Sequence, residues 1–152
     1  YEAMVKCTAN GGDFTTVLGD YPALISRTSA ALLKAARRSN CLVGVLPKLA
    51  LLVQAKVEGE LDPRGRFFET WALFVESGFT VEESLRELST DFSRGPLGEV
   101  AEGLRASSAK GKSLADGAKG FPEVFGASAT DLLEYGESRD LAAALRAINE
   151  LI

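Results

Sequence analysis

The sequence predicts an all-α protein, an antiparallel helical bundle, and three observations carry that reading. Apolar residues recur at intervals of three and four along most of the chain, the spacing of one helical face. Few stretches alternate at period two, the mark of a half-buried strand. Between the apolar stretches stand capping Ser, Thr and Asp residues, Pro at first turns and Gly at ends, spaced at helix lengths. The 152 residues suffice for one ordinary domain or two small ones. A composition of 46% hydrophobic and 25% charged residues belongs to a globular chain rather than a disordered one.

Taken in order, Gly11-Gly12 reads as a turn with a short helix on either side, and Asp13 or Thr15 is available as cap. From Pro22 onward, Leu24, Ile25, Thr28, Leu32 and Ala36 form one stripe, which Ser39-Asn40 ends. Residues 41–53 are the most apolar stretch. A membrane-spanning helix needs about 20 apolar residues, and this shorter run is interrupted by Pro47 and Lys48. It therefore reads as a buried core helix starting near Pro47, with Cys41 a small core residue. Asp62-Pro63-Arg64-Gly65 reads as a linker, because Asp-Pro and Gly favour turns. Phe67, Phe68, Trp71, Phe74 and Val75 then give an aromatic amphipathic helix ending at Ser77-Gly78. Thr80 with Glu83 is a capping box opening the next helix, which Arg94-Gly95-Pro96 breaks.

Pro96 starts a helix with Leu97, Val100 and Leu104 on one face and Glu99 and Glu102 on another. Gly111 stops it in a left-handed conformation, and Ser113 caps a short helix after it. Pro122 fits the first turn of a longer helix in which Phe125, Leu132 and Leu133 share a face. Residues 136–140 break that run, and Asp140 caps a final helix carrying Leu141, Leu145 and Ile148.

Little in the composition suggests chemistry. Histidine is absent, which removes the commonest general base and metal ligand. A net charge of −4 gives no global attraction to nucleic acid, and the basic clusters Lys34-Arg37-Arg38 and Lys110-Lys112 are small. Cys7 and Cys41 are too few for a disulfide framework. Residues 109–113 are similar to the end of a phosphate-binding loop, but Ala106 stands where that motif needs Gly, and a helical pattern precedes it instead of a strand. Glu82, Glu83, Glu87 and Asp91 form an acidic strip, and Glu134, Glu137 and Asp140 a second cluster. Paired carboxylates can do acid–base work or hold a hard cation. Here, without an ordered ligand-loop spacing, they read as solvated faces and helix N-terminal charge. Ser77, Ser107 and Ser108 have no histidine partner. No catalytic residue, cofactor or metal ligand is assigned. Glu82, Glu83 and Glu87, Arg37 and Arg38, and Trp71 at the edge of the aromatic set are the candidate contact residues.

The order Gly111, Ser113, Leu114, then Phe121-Pro122, then Gly136-Glu137 before Leu141 and Leu145 resembles the cytoplasmic domain of the type II secretion system F family. Residues 67–88, with Ser77-Gly78 between two helical patterns, resemble that domain's opening, so the resemblance covers residues 66–152. It departs at Ser138-Arg139-Asp140, where the family usually has Ser-Gly and this chain is one residue shorter. The resemblance implies a bundle of about six helices in residues 66–152. It also implies a non-enzymatic platform on the cytoplasmic face of the bacterial inner membrane, coupling a secretion or pilus ATPase to the fibre. The implied partners are that ATPase, other inner-membrane platform proteins and a second copy of the chain. Nucleic acid is not among them, and the membrane would be met only through spans outside these residues.

An internal echo accompanies the resemblance. At an offset of 100, Gly11 falls on Gly111, Phe14 on Leu114 and Tyr21-Pro22 on Phe121-Pro122. Leu32-Leu33 likewise falls on Leu132-Leu133, Cys41 on Leu141 and Val45 on Leu145. Because the family carries two copies of its domain, residues 1–61 read as the trailing part of a first copy, 62–65 as a linker and 66–152 as the second copy. The opening at Tyr1 rather than Met reads as a piece of something longer. The alternatives are a free-standing soluble helical interaction module and, further off, a carboxylate–metal enzyme.

Overall fold

Residues 67–75 put four aromatic side chains together with Ala72, Leu73 and Val75 on more than one side of a helix, and such a helix has to be packed on more than one side. The computed structural model describes residues 2–18, 20–21, 25–59 and 62–151, and there this stretch is the centre of the molecule. The described residues form ten helices and no strand. These are α1 (Glu2–Ala9), α2 (Phe14–Leu18), α3 (Arg27–Arg38), α4 (Leu42–Glu58) and α5 (Pro63–Glu76), followed by α6 (Val81–Asp91), α7 (Pro96–Ala109), α8 (Leu114–Ala118), α9 (Ala127–Glu137) and α10 (Leu141–Leu151). Helix α5 packs against α6 and α10 and also against α3 and α4. Phe67, Phe68, Trp71 and Phe74 are wholly buried on it. Burying each stabilises the fold by roughly 1.5–3 kcal/mol. Their rings meet edge to face, Phe67 on Phe92 at 5.3 Å and Phe68 on Phe125 at 5.6 Å, the arrangement that ring quadrupoles favour.

Several expected features sit differently in the structure. Helix α3 begins at Arg27, because Ser26 accepts the Ser29 N–H at 3.1 Å and fixes the start there. Ile25 precedes the helix, and Pro22 and Leu24 lie outside the described residues. Helix α4 begins at Leu42, not near Pro47. Pro47 falls in its second turn and removes only the bond to the Val43 carbonyl, on a residue that is 88% exposed. Nor is α4 buried: Val43, Leu46, Leu51 and Val53 all stand exposed. Cys41 is half-buried at the start of α4, its thiol donating to the Glu76 carbonyl at 3.3 Å. The stretch expected as a linker is the cap and first turn of α5, with Asp62 accepting the Gly65 N–H at 2.6 Å. Pro122 lies in an isolated turn, closed by the Phe125 N–H on the Phe121 carbonyl, and α9 starts only at Ala127.

Some element bounds recur at the offset of 100. Helices α2 and α8 occupy equivalent positions at an offset of 100, and so do the starts of α3 and α9. Gly11 and Gly111 stand at φ 72° and 76°, each closing the same turn. Past the next turn the offset falls to 99, since α4 starts at Leu42 and α10 at Leu141. By their helix starts Leu42 lines up with Leu141, while Val45 and Leu145, 100 residues apart, are both buried. The two halves meet where the α3–α4 corner rests on the end of α5. There Ser39 donates to the Ser77 carbonyl at 2.9 Å, and Lys48 Nζ lies 3.0 Å from the Glu76 carboxylate.

Candidate interaction surface

The ordered residues of the second half are consumed by architecture. Gly111 takes the left-handed conformation expected of it. Ser113 caps α8 by accepting the Asp116 N–H at 3.0 Å, and Leu114 and Leu145 are buried. Phe121 lies over Gly103, where a methyl group would overlap its ring. Gly136 does the same for α10: a Cβ there would collide with that of Ala144. Glu137 reaches from α9 to the start of α8, accepting the Leu114 N–H at 2.6 Å and the Ala115 N–H at 3.4 Å. A carboxylate on free N–H groups at a helix start is favoured by both hydrogen bonding and the helix dipole. Asp140 caps α10 by accepting the Ala143 N–H at 3.0 Å. Leu141, half-buried, packs against the core. Pro122 is exposed in its turn.

The candidate contact residues are dispersed. Trp71, expected at an edge, is wholly buried, its indole N–H donating to Ser84 Oγ at 3.1 Å, so it is core and presents nothing to a partner. Glu83 closes the capping box on Thr80, and hydrogen bonds from the Thr80 backbone and then its hydroxyl hold its carboxyl below the usual glutamate value. Glu82 is exposed. Glu87 and Asp91 line a cleft of about 700 Å³ together with Arg27, Arg66 and Arg94, so part of the acidic strip already faces positive charge. Arg37 pairs with Asp13, and Arg38 is exposed on the same helix end. No ion pair joins the Arg37–Arg38 patch to the acidic strip among the described residues.

The pattern missed one polar cluster because its members lie far apart in sequence. Arg146 on α10 reaches Glu76 and, at 3.6 Å, Glu69, both on α5. Burial pushes the Glu76 carboxyl upward, but hydrogen bonds from Arg146 and Lys48 outweigh it and hold the group below its ordinary value. The same pairing raises Arg146. Among the described residues, no three Asp, Glu, Cys or His side chains gather into a group that could hold a metal ion. Ser77 is buried and donates to the Leu73 carbonyl at 2.7 Å, a helix-end contact rather than a nucleophile's setting. No helix among the described residues is long and apolar enough to cross a membrane.

Comparison with known proteins gives a family match. The family described as type II secretion system, protein F, matches residues 67–152, running from within α5 to the end of the chain. No curated protein and no solved structure matches. Members of the family are inner-membrane-associated, structural components of secretion and pilus platforms. With more than half of its residues matched and a helical bundle built around them, the chain belongs to the type II secretion system protein F family.

Proposed function

We propose that the chain is a non-enzymatic scaffold on the cytoplasmic face of the inner membrane, coupling a secretion or pilus ATPase to its fibre through contacts between helical bundles. The observation that carries this reading is the family match over residues 67–152 together with the employment of its polar motif residues. Ser113 and Glu137 are engaged as caps, leaving packed helices and surface charge as the means of acting. Residues 1–61 are the trailing part of a first copy of the domain, and 66–152 the second. The matching positions of α2 with α8 and α3 with α9, and the paired left-handed glycines, support that division.

Exposed Glu82, half-buried Glu87 and exposed Arg38 offer charge to a partner at separate places on the surface. Binding of the full chain to a secretion or pilus ATPase from the same source, followed by light-scattering chromatography or interferometry, tests the reading. Glu82→Lys with Glu87→Lys should weaken binding about tenfold, as the loss of complementary charges does. Absence of any complex with the ATPase, or a gene with no hydrophobic spans and no secretion neighbours, would favour a free-standing interaction module instead.

A further inference from the structure

Arg27, Arg66 and Arg94 come from three separate segments and line the one cleft of about 700 Å³. Arg27 is the first residue of α3, Arg66 lies in the first turn of α5, and Arg94 stands in the turn between α6 and α7. Of the chain's ten arginines, Arg37, Arg64, Arg105, Arg139 and Arg146 are held by ion pairs or hydrogen bonds. The three in the cleft have no ion pair among the described residues. Arg66 is fixed by stacking instead, its Cζ 4.7 Å from the centre of the Phe92 ring, and its Nε is buried without a hydrogen-bond partner. A buried donor left unmatched costs stability until an acceptor reaches it. Helix α7 begins at the same cleft with Gly95 and Pro96 and no side-chain cap, which adds the positive end of a helix dipole.

The cleft is not uniformly positive. Glu87 and Asp91, four residues apart on one face of α6, line it as well, and neither comes within ion-pair distance of an arginine. Opposite charges held apart in one cleft are complementary to a ligand that carries both. Three guanidinium forks offer more donors than the two oxygens of a carboxylate can accept, whereas a phosphate monoester presents three oxygens about a tetrahedral centre. The two carboxylates disfavour a bare anion and suit an ammonium group. The cleft's own balance is one positive charge, which a dianionic phosphate ester bearing one ammonium group neutralises. Its volume lies within the roughly 300–1,000 Å³ of small-molecule sites. We infer that this cleft binds a small aminoalkyl phosphate monoester, its phosphate on Arg27, Arg66 and Arg94 and its ammonium group on Glu87 and Asp91.

The inference goes beyond the platform reading and does not depend on it. Isothermal titration calorimetry of the full chain with O-phosphoethanolamine should show saturable binding. Ethyl phosphate, the same ester without the ammonium group, should bind about tenfold more weakly. Arg27→Gln with Arg94→Gln, both at exposed positions, should weaken O-phosphoethanolamine binding by about tenfold to a hundredfold. Glu87→Gln with Asp91→Asn should bring it down to the level of ethyl phosphate. Arg38→Gln, at the far end of α3, should change nothing, with far-ultraviolet circular dichroism confirming that every variant is folded. Absence of binding, equal binding of ethyl phosphate, or binding that survives the arginine pair overturns the inference. So does tighter binding to phosphatidylethanolamine vesicles than to the soluble ester, which would make the cleft a membrane contact. Glu87 is also a candidate contact for the ATPase, but the arginine variants leave it in place. ATPase binding without ester binding would overturn this inference alone, and the reverse would count against the platform reading alone.

Discussion

Glu76 shows how much can rest on one carboxylate. It receives Lys48 from α4 and Arg146 from α10, and burial on α5 keeps both contacts partly shielded from screening. Its folded-state pKa lies below the unfolded value. The stability it contributes is therefore complete above the ordinary glutamate pKa of about 4.3 and is lost as pH falls through the lower folded value. Urea midpoints measured across that acid window should fall, and Glu76→Gln should flatten this part of the profile while lowering the midpoint at neutral pH. Gly136→Ala is a test of contact rather than charge. The added methyl meets Ala144, so despite the gain in helix propensity the fold should lose about 1–2 kcal/mol in denaturant titrations. Caps such as Ser113, Asp140 and Thr80 with Glu83 were legible in the sequence because donor and acceptor lie three residues apart. The Glu76–Arg146 pair was not, since 70 residues separate its members and only the fold brings them together.

At the scale of elements, stops were easier to read than starts. Gly111, Gly78 and Gly11 end their helices in left-handed conformations, as isolated glycines after apolar runs should. Gly111→Ala has open space for its methyl, so its cost is conformational alone, about 1 kcal/mol, and Gly111→Asn should recover part of it in thermal unfolding. Starts misled where proline has two readings. Pro63 and Pro96 stand at first turns, as the residue prefers, whereas Pro47 lies inside α4 and Pro122 in a turn before α9. Nothing in the local pattern separates these cases. At Pro47 the decision is tertiary, because the α3–α4 corner is held on α5 through Ser39 and Cys41, and α4 must start there. The apolar richness of α4 was visible, but its exposure was not, since hydropathy does not say which neighbours are present.

The molecule as a whole is graded from a dense centre to a light end. The side chains of α5 fill the core, while α1 packs on α2 alone among its larger contacts. Native-state hydrogen exchange should therefore find amides of Phe67–Phe74 opening only with global unfolding, and those of Glu2–Ala9 opening at much lower free energy. Slow exchange across α1 equal to that of α5 would contradict this gradient. The class and the order of helices were legible from periodicity and caps. The arrangement that makes α5 common to both halves was not, because contacts such as Glu76 with Lys48 leave no periodic trace. That shared strut has a further consequence: the polypeptide connection between α4 and α5 is not what keeps the two ends of the molecule in company. Cleaving the backbone there with a protease should yield two pieces that still travel as one particle through a sizing column, held by the Lys48–Glu76 pair, the Ser39 and Cys41 hydrogen bonds and the buried residues of α3 and α4, and parting in urea.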